Sequence, residues 1–179
     1  MAIRLDVPYF TQLGIGARPG VAGRDDPTGC WYASACMIGA FYESGPRLGV
    51  PQLWVNGRHR VVSAPANGAA GVDYFEILCR NEQLVPNPMS ADPLFDFEGS
   101  DIEGLLRGQG PIMLFWHKPA GRGSYQHASV ICGADGNTLS YHDPERAPDS
   151  RMSVDDFNRW RQRMRWALLQ RRPGARPRV

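Results

Sequence analysis

Three apolar runs of strand length in the C-terminal half constrain this chain most. Ile112 to Trp116 is entirely apolar, Ala128 to Cys132 nearly so, and Thr138 to His142 follows it across Asp135-Gly136-Asn137. Short apolar runs bounded by turn residues read as strands, and the last two read as a hairpin. Trp166 to Leu169 is a candidate final strand. The earlier part of the chain has helical periodicity instead. Trp31, Ala35, Ile38 and Tyr42 recur at three-to-four spacing after the cap-type residues Thr28 and Gly29, up to Gly45-Pro46. A helix is expected from about Val72 to Glu82. Another is expected to open on a capping box at Ser100 and Glu103 and to run through Leu105 and Leu106. Ser153 and Asp156 cap a last one, which carries Phe157 and Trp160. Leu13 to Gly29, rich in glycine and proline, is a loop, as is Val85 to Gly99. Within 46–71 only a short extended piece at Leu53 to Val55 is expected. Helices first and antiparallel strands afterwards predict an α+β fold, with N-terminal helices packed on a C-terminal antiparallel sheet.

A length of 179 residues with 42% apolar content fits one domain, expected to span 1–170. Arg171, Arg172, Arg176 and Arg178, set beside Pro173, Gly174 and Pro177, predict a flexible basic tail over 171–179. The net charge of +2 gives no reason to expect a nucleic-acid partner. The basic residues are unusual in kind, because Lys118 is the single lysine among 20 lysines and arginines. The start, MAIRLDVPYF, lacks the pattern of a Sec leader, and no apolar stretch is long enough to span a bilayer. Synthesis in the cytoplasm without membrane insertion is expected, with delivery by a specialised secretion machine left open. Of the four cysteines, three sit in apolar runs, which predicts free thiols.

Cys30 falls in the first turn of its helix, where the macrodipole favours a thiolate and free amides stand ready for an oxyanion. A cysteine in that position is also compatible with simple burial, so the histidine decides. His127 opens an apolar strand, a placement suited to a partly accessible general base. Side chains alternate along strands, so His127 and Asp143 share a face only if the hairpin connection has odd parity. A three-residue loop, Asp135-Gly136-Asn137, pairs Ala134 with Thr138, sets Ser129 opposite Asp143 and leaves His127 one diagonal step away. His142 is the other candidate partner. Being adjacent in the strand, only one of the two can face His127.

The blocks Val7-Pro8-Tyr9-Phe10-Thr11-Gln12, Gly29-Cys30-Trp31-Tyr32-Ala33-Ser34-Ala35, Gln126-His127-Ala128-Ser129-Val130 and Tyr141-His142-Asp143-Pro144 resemble, in order, those of papain-like cysteine peptidases. The likeness is to the compact bacterial branch that includes AvrRpt-type effectors and bacteriocin leader peptidases. The resemblance implies a papain-like fold and a Cys30-His127-Asp143 triad that cleaves a peptide bond through a thioester. It also implies that Gln12 helps form the oxyanion hole, although the link from Gln12 to Cys30 is longer than in papain. A protein or peptide substrate follows, and a role as a secreted bacterial effector or toxin with an immunity or inhibitor protein as partner. The same triad is compatible with other acyl transfers: glutamine deamidation, transglutamination, or peptidoglycan amidase or endopeptidase chemistry. A non-enzymatic module, either an arginine-rich domain that binds nucleic acid or a degenerate peptidase used as an adaptor, is the remaining alternative. No cofactor is expected, and His59 and His117 lack partners at metal-ligand spacing, so no metal site is predicted.

Overall fold

The computed structural model describes residues 2–13, 29–42, 74–172 and 174. The expectations for the glycine-rich loop, for residues 46–71 and for 175–179 lie outside the described residues. Within them the order is β1 (Ile3–Arg4), α1 (Cys30–Tyr42), α2 (Tyr74–Glu82), β2 (Leu84–Pro86), a single 3-10 turn (Pro88–Ala91), α3 (Gly99–Gln109), β3 (Ile112–Ala120), β4 (Gly123–Asp135), β5 (Thr138–Asp143), β6 (Ala147–Ser153), α4 (Val154–Trp160) and β7 (Leu168–Arg171). The strands form one sheet in the order β2-β7-β3-β4-β5-β6, with β1 pairing β4, and every pairing is antiparallel.

The central strands are apolar on both faces because both are covered by helices. Met113, Phe115, Ala128, Val130 and Cys132 pack under Ala35, Met37 and Ile38 of α1 and Leu78 and Cys79 of α2. Ile112, Leu114, Trp116, Ile131 and Tyr141 project the other way, onto Ile102 and Leu106 of α3 and Val154 and Phe157 of α4. Helix α1 therefore lies on one face of β3 and β4 while α3 and α4 close the opposite face.

Several expectations need correction. The α3 cap is Glu98 rather than Ser100: its side chain accepts from the Asp101 amide, and Asp101 Oδ2 accepts from the Glu98 amide at 2.8 Å. This is the same reciprocal box displaced two residues toward the N-terminus. The Ser153 cap stands where expected, with Oγ accepting from the Asp156 amide at 3.0 Å. The segment expected as a loop from Val85 holds strand β2, which pairs with β7. Arg171, expected in the tail, instead closes β7 and is buried.

The β4–β5 connection also differs from expectation. Asp135 pairs Thr138, so the loop is the two-residue Gly136-Asn137, with Gly136 in the left-handed region at φ 55°. Glycine is required across from it too, since a Cβ on Gly99 would lie 1.9 Å from the Gly136 carbonyl oxygen. A two-residue loop alone would put His127 and Asp143 on opposite faces. A β-bulge reverses the parity: Gly133 pairs Ser140, but Ile131 pairs Tyr141 and Val130 pairs His142, so Cys132 is the extra residue. Continued one step, this register sets Ser129 against Asp143 and restores a shared face with His127.

Candidate active site

Gly29 supplies the carbonyl that accepts the Ala33 amide at 3.0 Å, which makes Cys30 the first residue inside α1. Its thiol is partly exposed, whereas Cys36, Cys79 and Cys132 are buried, and none of the four is in a disulfide. The Cys30 sulfur lies near enough to the His127 ring for its charge to act on the imidazole.

His127 lies well inside β4, which begins at Gly123, and is only 3% exposed. The expectation of a partly accessible ring is thus corrected: β3 and β4 run on past the apolar core as a hairpin, which encloses the histidine. Trp116, its cross-strand partner, lies tilted at 6.2 Å, and Tyr125 presents its ring edge-on at 5.7 Å. Trp116 is itself fixed by a bond from Nε1 to Ser129 Oγ at 3.2 Å.

His127 Nε2 is 2.8 Å from Asp143 Oδ1. The carboxylate only accepts, so Nε2 carries the hydrogen and Nδ1 is the nitrogen left for the thiol. Burial, the largest influence, pulls the pKa of the ring down. The hydrogen bond to Asp143 and the nearby Cys30 sulfur, with the attraction of both charges, more than reverse it and hold the pKa at about 9. Burial likewise raises that of Asp143, yet the hydrogen bond from His127, the ion pair with Lys118 and their positive charges bring it to about 2. An imidazolium beside a carboxylate is therefore the resting state near neutrality.

His142 is turned away. Its Nε2–H donates to the Val7 carbonyl at 2.9 Å and its Nδ1 accepts the Asp149 amide at 3.2 Å, so both nitrogens are taken. Gln12 reaches the region by another route. Tyr9 donates its hydroxyl to the Asp143 carbonyl, and Thr11 Oγ1 and the Gln12 amide both donate to the Pro144 carbonyl, each at 2.9 Å. The N-terminal segment is thereby stitched to the end of β5. The Gln12 side chain is buried, and its Oε1 has no hydrogen-bond partner among the described residues.

Two charged residues were not foreseen. Lys118 Nζ stands 2.7 Å from Asp143 Oδ2 and 2.6 Å from Glu145 Oε2, and Glu145 also accepts from the Tyr125 hydroxyl. The signal available was register: Lys118 lies two residues beyond Trp116 in β3 and hence on the face of His127. Oxygen and nitrogen atoms of His127, Asp143 and Glu145 gather within 4.8 Å, a spacing that suits a cation. The Lys118 ammonium already bridges the two carboxylates, so a metal ion there would meet a positive charge. His117 is exposed on β3, and His59 lies outside the described residues.

An α+β fold with a thiol at a helix tip against an imidazole on an antiparallel sheet defines the papain-like class of cysteine peptidase. Comparison with solved structures agrees on the fold: a C39-like peptidase from Bacillus anthracis superposes with a TM-score of 0.54 over 95% of this chain and 96% of that one, at 14% identity. The family model described as papain-like cysteine protease AvrRpt2 matches residues 1–162, and the chain belongs to that family.

Proposed function

We propose that the chain is a cysteine protease that hydrolyses peptide bonds through a Cys30-His127-Asp143 triad. The observation that carries the reading is the His127 ring bound to Asp143 Oδ1 at 2.8 Å, with Cys30 near enough for its charge to act on the ring. With the imidazolium already formed, Cys30 attacks as a thiolate at the substrate carbonyl carbon. The charge moves to the carbonyl oxygen, where the Cys30 amide at the helix tip and the Gln12 side chain stabilise it. Collapse of this intermediate expels the amine, which takes its proton from His127, and leaves a thioester on Cys30. His127, now neutral, accepts a proton from water as it attacks the thioester, and the acid product leaves with the enzyme restored. Asp143 keeps Nε2 protonated throughout and stabilises the positive ring.

The likeness to secreted effectors supports a role as a bacterial effector or toxin directed at a specific protein of a host or competitor, with an immunity protein restraining it in the producing cell. Trapping with the Cys30→Ala variant, followed by incubation of the active chain with whatever is captured and, separately, with muropeptides, tests this reading. New protein termini from the captured protein are expected. Release of ammonia without cleavage, or turnover of muropeptides alone, would overturn it.

A further inference from the structure

We propose that Lys118 is a positioning residue of this site: its ammonium, shared between Asp143 and Glu145, locks the Asp143 carboxylate in the orientation that serves His127. The inference rests on the triad reading above and extends it to a fourth and fifth residue. Asp143 is almost wholly buried, with 1% of its side chain exposed, and each oxygen has its own duty. Oδ1 receives the His127 Nε2–H at 2.8 Å and the Glu145 amide at 3.0 Å. Oδ2 forms an ion pair with Lys118 Nζ at 2.7 Å and accepts no hydrogen bond from the described residues. Removal of the ammonium would leave a charged, buried oxygen unpaired, a costly state that the carboxyl relieves by turning or by taking up a proton. With the proton on Oδ2, Oδ1 still accepts from His127 but as a neutral oxygen, and the charge that holds the imidazolium in place is lost.

The charges of the four residues on the sheet balance only when the ring is protonated. Lys118 and an imidazolium supply two positive charges, Asp143 and Glu145 two negative ones. Lys118 is held further by its place over the Tyr125 ring, 5.8 Å from the centroid. The choice of side chain fits the task. The chain uses arginine at every other position that is lysine or arginine, yet here a compact ammonium directs separate donors to acceptors on different residues, which a planar guanidinium fork does less well.

The test is the pH dependence of Cys30 alkylation by iodoacetamide, read by mass spectrometry, which requires no substrate. In the unaltered chain Cys30 is expected to react ahead of Cys36, Cys79 and Cys132 while Asp143 is ionised and His127 protonated, a window with an acidic and an alkaline limb. Lys118→Met is expected to move the acidic limb up by about one pH unit or more, because Asp143 then protonates earlier. Lys118→Arg, which retains the charge, is expected to hold that limb near its original place. Superimposable profiles for Lys118→Met and the parent would overturn the proposal even if thermal stability fell, as would an equal shift in Lys118→Arg. Should Lys118→Met not fold, Glu145→Gln carries the test. It removes the balancing negative charge, so the alkaline limb is expected to fall by about half a pH unit, and an unmoved limb counts against the proposal. If Cys30 in the parent labels no faster than the other thiols, the triad itself fails and the proposal with it.

Discussion

The two halves of the site differ in how their polar atoms are committed. On the sheet, His127, Asp143, Lys118 and Glu145 are joined by contacts of 2.6 to 2.8 Å, and the β3–β4–β5 ladders fix their backbones. On the helix side, Cys30 is partly exposed and the Gln12 Oε1 has no partner among the described residues, although the Gln12 backbone is tied to Pro144. The half that must hold charge through a catalytic cycle is paired in advance. The half that must meet a substrate is tied less tightly, with Cys30 partly exposed beside the His127 ring. Preorganised charge costs no rearrangement at the moment of reaction, whereas a nucleophile that is already satisfied would have to be released first.

Removal of the partly exposed nucleophile is the largest way to break the contrast. Cys30→Ala is expected to lower peptidase activity on the trapped substrate by about 10⁴-fold or more while circular dichroism and melting temperature stay close to the parent, since a first-turn, partly exposed thiol packs little. On the sheet side, Asp143→Ala leaves the reacting pair in place and is expected to cost about 10²- to 10⁴-fold. Unlike Cys30→Ala it should also destabilise, because it strands Lys118 and His127 as buried positive charges. Gln12→Ala is expected to cost about 10²- to 10³-fold in kcat with KM little changed, as the loss of a donor used only in the transition state would do.

The pH profile sharpens the same comparison. His127 is raised from 6.5 to about 9, so its protonated form persists through neutrality and is lost as pH rises through about 9. Activity is expected to fall on that alkaline limb, and Asp143→Asn, which removes the negative partner, should move the limb downward. Asp143, lowered to about 2, stays ionised through the mildly acid range and loses its stabilising effect only as pH drops through about 4 toward 2. The smallest effect concerns the caps. Ser153→Ala is expected to cost about 1 kcal/mol by denaturant titration, and Ser100→Ala close to nothing, because the α3 cap belongs to Glu98 and Asp101.

What could be read from the chain alone follows from the range of the interactions. Cys30 at a helix start is local information, and so are the apolar runs that became β3, β4 and β5. Strand β6, Ala-Pro-Asp-Ser-Arg-Met-Ser, is polar and half-exposed at the sheet edge, so no alternation announces it. Parity correctly identified what the hairpin had to satisfy but not how. The chain meets the requirement with a two-residue turn and a bulge at Cys132, and a bulge leaves no mark in a buried apolar run. Lys118 and Glu145 went unseen because an ion pair across 27 residues appears only once register is known. The enclosure of His127 by Trp116 and Tyr125 depends on how far β3 and β4 continue beyond the apolar segment, through residues as polar as Ser124 and Gln126.

The central claim is that a sulfur, an imidazole and a carboxylate act as one unit. Iodoacetamide competition at pH 7 among the four cysteines, in the parent and in His127→Ala, addresses it most directly. Cys30 is expected to label well ahead of Cys36, Cys79 and Cys132 in the parent and to lose that lead when the imidazole is removed. A Cys30 that reacts no faster than the buried thiols, or one equally fast without His127, would contradict the account.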